Sequence, residues 1–527
     1  MKRLFLSAIC LATLNLAFGA LRAMAQQPLT AQESRGKQIY LQGTSPSGKD
    51  ILAYVGDSSL EVPGNVMSCA NCHGIAGQGK TEGGITPSNV SWEALTKPYG
   101  VTHENGRKHP AYTPRTLELA ITRGLDPAGN KLLNAMPRYQ MSKADLDDLV
   151  VYLKRLGTDV DPGISETKIV IGMAYPTAGP IGELSQAVRD VIVAVFAEVN
   201  AQGGVYSRQL ELKSVAAEAK SITRADVEKL IKDEKVFALT GVMLAGVENE
   251  IVPLLAEEQV PLIGPLTLDP KISSPLNRQI FYVLSGNAGQ ARALISFIAQ
   301  KTESKRLTIA VMHSGGELAP SVIEAIKDQS QKEKLTAPQV IEYSAGSFAA
   351  GETITRLKQA NVNGVIFTGR AEDLLSLMKE AANGNWFPQI FIQSGTASAA
   401  IFEAPAGFEG KVLCTFPTTP ADQTADGLRE FRSLSEKYKL SQKYLAGQVS
   451  AYSAAKILIE ALKRAGKDLS RERLIQALEG FYNYQTGLTP PITYGPNRRV
   501  GAMGAYVVTV DLKEKKFVPL SGWVGLN

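Results

Sequence analysis

Cysteine and histidine are scarce in this sequence, with four of each in 527 residues. So few thiols exclude a disulfide-stapled scaffold and a chain of zinc modules, each of which would take four Cys or His ligands. An excess of one charge is also lacking, since 56 basic residues face 51 acidic ones. The formal net charge of +5 gives no concentrated basic surface for nucleic acid or an anionic membrane. Long apolar runs are missing except at the start. There Lys2-Arg3 precede an apolar stretch from Leu4 to Leu21, broken only by Ser7, Thr13, Asn15 and Gly19, and Ala23-Met24-Ala25 follow before Gln26. A short positive segment, an apolar core and a small-x-small site read as a cleaved secretory signal peptide over residues 1–25, which places the mature chain in the periplasm. Cys10 leaves with it. An uncleaved anchor is the alternative, because about 18 apolar residues can just span a bilayer. Removal of Lys2, Arg3 and Arg22 brings the net charge to +2.

Two of the remaining thiols carry the main chemical signal. Cys69-Ala70-Asn71-Cys72-His73 has two cysteines three positions apart and a histidine directly after them, the spacing that attaches one c-type haem. The thiols form thioethers with the haem vinyl groups, and the His73 imidazole reaches the iron as proximal ligand. A CxxC disulfide or half of a zinc site are the other readings. A zinc site would need a second ligand pair, and the other cysteines are only Cys10 and Cys414.

Length calls for several domains, and composition marks the main break. Residues 157–167, Gly-Thr-Asp-Val-Asp-Pro-Gly-Ile-Ser-Glu-Thr, are polar and turn-rich and read as a linker. Before it, residues 26–156 read as helix and loop. Thr30 caps a first helix to Leu41, with Glu33 closing a capping box and Gly36, Ile39 and Tyr40 on one face. Ser142 caps a last helix to Leu156, striped by Leu146, Leu149, Val150 and Leu153. With the haem motif between two such helices, this segment resembles a class I cytochrome c, in which the terminal helices cross with a small residue against an aromatic; Gly36, Tyr40 and Tyr152 suit that role. The insertion from Gly43 to Ser68 departs from the smallest members. In Asn134-Ala135-Met136-Pro137-Arg138-Tyr139, Met136 is the best sixth ligand, since the family it resembles sets its axial methionine in a Met-Pro-x-Tyr context. Met67, Met141, His103 and His109 are the alternatives. A His/Met pair raises the reduction potential relative to two imidazoles and fills both axial positions, which favours electron transfer.

Gly74-Ile75-Ala76-Gly77-Gln78-Gly79-Lys80-Thr81 matches the phosphate-loop pattern, but that loop needs a buried strand before it and a helix after it. Haem cysteines precede it here, so the glycines are better suited to letting backbone pass close to a porphyrin.

From residue 168 to 527, short β-branched runs alternate with long amphipathic stretches: Lys168–Met173, Val205–Leu212, Phe237–Thr240, Pro261–Gly264, Thr308–Met312, Gly364–Thr368, Gln389–Gln393 and Lys411–Thr415. This predicts parallel α/β sheets, and the length predicts two lobes. The loop Pro176-Thr177-Ala178-Gly179-Pro180-Ile181-Gly182, the stretch Glu198-Val199-Asn200-Ala201-Gln202-Gly203-Gly204-Val205, Pro261-Leu262-Ile263-Gly264-Pro265, and Gly447-Gln448-Val449-Ser450-Ala451-Tyr452 resemble, in this order, the type I periplasmic solute-binding proteins, in the branch that serves branched-chain amino acids, amides and aromatic acids in ABC transport. That resemblance implies a ligand between the lobes at the C-terminal strand ends. It points to Thr177, Ala178 and Gly179, Leu244 and Ala245, Leu266 and Thr267 in the first lobe, and to His313, Arg370 and Ser394 in the second. The loop after Thr240 is Gly-Val-Met-Leu-Ala-Gly and Gln393-Ser394-Gly395 supplies no carboxylate, which disfavours a zwitterionic amino acid. A solvated arginine and a structural histidine are the alternatives for Arg370 and His313. Cys414, in an apolar strand, reads as a buried thiol.

The sequence thus predicts an all-α cytochrome c domain followed by a two-lobed α/β binding domain. It is expected to carry one covalent haem c and single electrons rather than act as an enzyme. The second domain would recognise a small organic solute or dock a redox partner, such as a dehydrogenase or another cytochrome. Delivery to ABC importer membrane subunits with the haem as redox reporter, or haem catalysis on the bound solute, are the alternatives.

Overall fold

The computed structural model describes residues 29–526 except 57–58, 75–76, 80–85, 104–105, 158–160, 273–275, 301–306, 317, 345–347 and 468. The signal-peptide reading and four residues of the phosphate-loop look-alike, Ile75, Ala76, Lys80 and Thr81, lie outside the described residues. The chain divides into two compact units, Met1–Pro162 and Gly163–Asn527.

In the first unit, helix Ala31–Gln42 begins at Thr30, whose side chain and that of Glu33 form the capping box, and ends at Gly43 with φ 65°. It crosses helix Lys143–Leu153, capped by Ser142. Gly36 sits at the crossing, where a Cβ would fall 2.0 Å from the Asp148 carbonyl oxygen. Tyr40 and Tyr152 lie beside it with ring centroids 5.8 Å apart. The all-helical expectation needs one addition. The insertion after Gly43 forms β1 (Leu52–Val55) and β2 (Leu60–Pro63), a hairpin. A second hairpin pairs β3 (Val101–Thr102) with β4 (Lys108–His109). Next, β5 (Arg138–Gln140) pairs antiparallel with β1 and completes a three-stranded sheet in the order β2-β1-β5. Ala53 and Tyr139 face the core, which gives this short sheet the one buried face it needs.

The second half of the expected linker is not a free tether. Gly163, at φ 81°, turns the chain so tightly that a Cβ would meet the Phe237 amide at 2.3 Å. Ser165 then accepts from the amides of Thr167 and Lys168, and Val170 N donates to Gly163 O at 2.8 Å.

The second unit contains two sheets. In the first, β6 (Lys168–Pro176), β7 (Gln209–Ala217), β8 (Ala238–Thr240), β9 (Leu262–Ile263) and β10 (Ile280–Leu284) run parallel, in the order β10-β9-β8-β6-β7. In the second, β11 (Ile309–His313), β12 (Gln339–Glu342), β13 (Gly364–Thr368), β14 (Gln389–Gln393) and β15 (Val412–Phe416) are parallel, in the order β12-β11-β13-β14-β15. The chain end serves both lobes. β16 (Val500–Ala502) adds to the first sheet beside β10, while β17 (Gly504–Asp511) extends the second antiparallel to β15, and β18 (Lys516–Pro519) and β19 (Val524–Gly525) each pair antiparallel with β17. Among the described residues the chain passes between lobes after β10, after β15 and after β16. The second passage brings helices Ala425–Tyr438 and Leu445–Ala465 back onto the first lobe, where Phe431, Leu434, Tyr452 and Leu458 join its core. No helix of the described residues is long and apolar enough to cross a membrane.

Candidate functional sites: a CxxCH helix and an interlobe cleft

The first candidate site is built on the single turn Cys69–His73. His73 is buried, and its Nδ1 lies 2.8 Å from the Ser88 carbonyl oxygen. A carbonyl can only accept, so Nδ1 carries the proton and Nε2 keeps its lone pair, the tautomer in which imidazole ligates a metal. Burial also holds the ring below the ordinary imidazole range, which keeps it neutral. Neither Cys69 nor Cys72 is in a disulfide. Burial raises the Cys69 thiol to about 12, so it remains protonated. Among the described residues no group of three or more His, Cys, Asp or Glu side chains is arranged to hold a metal ion, and the half-zinc reading finds no second half. Tyr40 donates its hydroxyl to Gly74 O at 2.7 Å, fixing the exit of the turn.

Met136 sits at the end of a tight turn, with its amide 3.0 Å from Leu133 O. Met67, Met136 and Met141 all pack against the same core as Cys69 and Ala70. The two histidines are occupied elsewhere. His103 Nε2 is 3.0 Å from His109 Nε2 and accepts from Arg107 Nη2 at 2.9 Å, while His109 Nδ1 lies 2.8 Å from Pro110 O. Sequence reasoning passed over Ser88, Arg138 and Tyr139. Tyr139 donates to Met67 O at 2.5 Å, just ahead of the cysteines, and burial pushes its phenol pKa up. Its place in Met-Pro-Arg-Tyr was the available signal.

The cleft residues lie at the expected C-terminal strand ends, but most of their polar groups are engaged. Thr177 donates its hydroxyl to Ala217 O at 3.0 Å. Thr267 donates to Glu248 Oε1 and accepts from Asp269 N. Arg370 Nε and Nη2 reach Asp373 at 3.2 and 3.4 Å, and His313 Nδ1 accepts from Gly315 N at 3.2 Å. Ser394 N donates to Gln290 Oε1 at 3.0 Å. Leu244 is a correction: its side chain is fully buried in the first lobe's core and offers no surface to a solute, because its amide pairs with Leu266 O and seals the β8 and β9 loops together. Ala178, Gly179, Ala245 and Leu266 keep accessible surface. Nearby strand and helix ends hold two unpartnered amides: Asn287 Oδ1, at the start of helix Asn287–Ala299, and Gln393 Nε2, at the end of β14, are buried without a hydrogen-bond partner. Two amides at the ends of otherwise apolar segments were the only trace in the sequence.

The family described as periplasmic binding protein matches residues 168–516. The chain belongs to the periplasmic binding protein family. Residues 65–157 match the cytochrome c family, so this periplasmic binding protein carries a cytochrome c domain ahead of its type I binding domain. A cytochrome c domain implies haem c. Curated relatives include a leucine-, isoleucine-, valine-, threonine- and alanine-binding protein of Pseudomonas aeruginosa, 22% identical over 314 residues that cover 59% of this chain and 82% of that one. A Leu/Ile/Val-binding protein homolog of Brucella abortus is 22% identical over 58% of this chain and 81% of its own. Among solved structures, a branched-chain amino acid ABC transporter protein from Thermus thermophilus with bound valine superposes with TM-score 0.56 at 19% identity, covering 69% of this chain and 98% of its own. A fatty acid ABC transporter substrate-binding protein from Thermomonospora curvata gives TM-score 0.53 at 17% identity, covering 69% and 94%. These similarities establish the two-lobed fold of the binding domain. The matched families are typically periplasmic, and the similar proteins bind solutes.

Proposed function

We propose that this chain is a periplasmic electron carrier with one haem, attached through Cys69 and Cys72 and ligated by His73 and Met136, joined to a domain that binds a small organic solute. The observation that carries the reading is the Nδ1 contact of His73 with Ser88 O, which leaves Nε2 available directly after the two thiols. When bound, the haem takes up one electron and gives it back. This chain's residues do the rest. Ser88 orients His73, Tyr40 and Tyr139 tie down the two ends of the CxxCH turn, and the His103–Arg107–His109 cluster keeps the competing imidazoles occupied, which favours Met136 in the sixth position. A filled coordination sphere favours electron transfer over haem catalysis, with a dehydrogenase or another cytochrome as partner.

In the cleft, the only cation proposed is paired with Asp373, and the two threonine hydroxyls are donated to protein acceptors. A zwitterionic amino acid would leave both charges without dedicated partners, a costly arrangement in a closed cleft. An uncharged or weakly polar solute fits better, met by accessible Ala245 and Leu266 and by the partly buried Asn287. The cleft would close on it by hinge motion. The protein would then hand the solute to importer membrane subunits or report it to the redox partner.

Two measurements test this reading. Intact mass after denaturing acid extraction should exceed the apoprotein by one haem, and haem lost on extraction overturns the attachment. A thermal-shift screen comparing leucine and valine with short alcohols, aldehydes and aromatics should show stabilisation by the uncharged set. Stabilisation by the amino acids alone overturns the solute assignment.

A further inference from the structure

Arg138 has no role in the reading above, yet its guanidinium occupies an unusual position. It donates to three backbone carbonyls of one turn: to Met136 O through Nη1, and through Nη2 to Leu132 O at 3.1 Å and Leu133 O at 3.5 Å. No carboxylate pairs with it among the described residues, and burial alone lowers its pKa. The turn it clasps is otherwise held by Met136 N on Leu133 O and by Leu132 N on Gly124 O at 2.8 Å. Space for the guanidinium comes from Gly124, which ends helix Pro114–Arg123 at φ 64°; a Cβ there would lie 1.9 Å from Arg138 Nε. The next residue, Tyr139, donates to Met67 O, two residues before Cys69. One short strand, β5, therefore ties the Met136 turn to the approach of the CxxCH turn.

We propose that Arg138 is a positioning residue that both locks Met136 onto the iron and raises the haem reduction potential with its uncompensated charge. This rests on the assignment of Met136 as sixth ligand. The positional part follows from geometry: the two terminal nitrogens of a rigid planar guanidinium hold the Met136 carbonyl and the Leu132 and Leu133 carbonyls in fixed relative positions, whereas an ammonium offers its donors from a single rotating point. The electrostatic part follows from charge balance. Reduction adds one electron to ferric iron, breaks no bond and lowers the site's charge by one, so a fixed cation on the ligand's own carbonyl in a partly dry environment favours the ferrous form.

The test uses the full-length holoprotein. Spectroelectrochemical titration of Arg138→Gln should show the ferrous/ferric equilibrium shifted at least tenfold toward ferric, about 59 mV for a one-electron couple. Imidazole should also displace the sulfur ligand at least tenfold more easily, read from loss of the sulfur-to-iron charge-transfer band. Arg138→Lys should keep a potential near wild type while still admitting imidazole more easily, which separates charge from fork geometry. Should Arg138→Gln fail to fold, Gly124→Ala, which expels the guanidinium, must reproduce both shifts. Folded variants with wild-type potential and imidazole affinity overturn the inference. Met136→Ala separates the two assignments: a wild-type band in that variant removes Met136 as ligand, whereas a lost band with an unaltered Arg138→Gln removes Arg138 alone.

Discussion

Gly36→Ala adds one methyl group at the tightest helix crossing of the haem-bearing unit. A Cβ at residue 36 would lie 2.0 Å from the Asp148 carbonyl oxygen, 2.7 Å from its carbon and 2.7 Å from Tyr152 Cβ. Ordinary contact begins near 3.4 Å, so the helices must separate by about 1.4 Å at that point. Two effects compete. Alanine in place of glycine favours an isolated helix by about 1 kcal/mol. Overpacking a well-filled site costs about 1–3 kcal/mol, and the upper end applies because the obstacle is backbone that has no alternative rotamer. The bidentate contact of Arg35 with Asp148, at 2.6 and 3.1 Å, is strained by the same separation, but it is too exposed to change the balance. The net loss expected is about 2 kcal/mol, which for a unit of this size lowers the melting temperature by roughly 5–12 °C. Thermal unfolding followed by circular dichroism in the haem band measures it. The paired control is Gly351→Ala, where the nearest atom, Glu380 Oε1, is 3.9 Å from the new Cβ; it should leave the second unit unchanged or stabilise it by up to about 1 kcal/mol. A Gly36→Ala protein as stable as wild type would refute the close crossing.

His103 is held below the ordinary imidazole range first by burial, then by the neighbouring Arg107 and His109, with Asp126 opposing. The unfolded chain therefore takes up the proton more readily, and stability should be full above about pH 6.5 and decline as pH falls toward the folded value. His103→Asn should flatten that acid limb in urea unfolding, and an unaltered slope would count against the cluster. In the first lobe, buried Arg499 meets Glu479 Oε1 at 2.6 Å and lies 4.6 Å over the Phe281 ring. Glu479→Ala strands that cation and should cost about 3–5 kcal/mol of second-unit stability, partly recovered by adding Arg499→Met; a loss under about 1 kcal/mol would show the pair to be dispensable. Burial pushes the Cys414 thiol pKa well up, so peptide mapping after maleimide treatment should find Cys414 modified only in denaturant.

Legibility in the sequence followed the strength of local signals. The capping box at Thr30 and Glu33, the apolar stripe of Lys143–Leu153 and the CxxCH spacing are short-range patterns, and each appears where it was read. β10, β12 and β16 to β19 were missed. β12 has only Ile341 buried, so it lacks the continuous apolar run that marks an inner strand, and β16 and β17 pair with β10 and β15, strands far back in the sequence, which no local pattern encodes. The insertion after Gly43 was recognised only as length; its strands became definable through pairing with residues 138–140. At the cleft, strand ends could be placed from periodicity, but not the partners of Thr177, Thr267 and Arg370. Those partners, Ala217, Glu248 and Asp373, decide whether a hydroxyl or guanidinium remains available for a ligand.

The threefold passage of the chain between lobes bears on how the protein is made. The haem-bearing unit is one contiguous stretch and can complete its core once residue 162 has emerged. Neither lobe of the second unit can. Tyr282 in β10 waits for Val500 in β16, and Cys414 in β15 waits for Val508 in β17, so both sheets keep an unpaired edge until almost the whole chain has been synthesised. Such distant pairings are slow to form and expose strand edges meanwhile. Truncation between β15 and β16 would therefore damage both lobes at once, while a haem-bearing fragment ending near residue 162 should survive, which makes the first unit the early-folding and separable part of this protein.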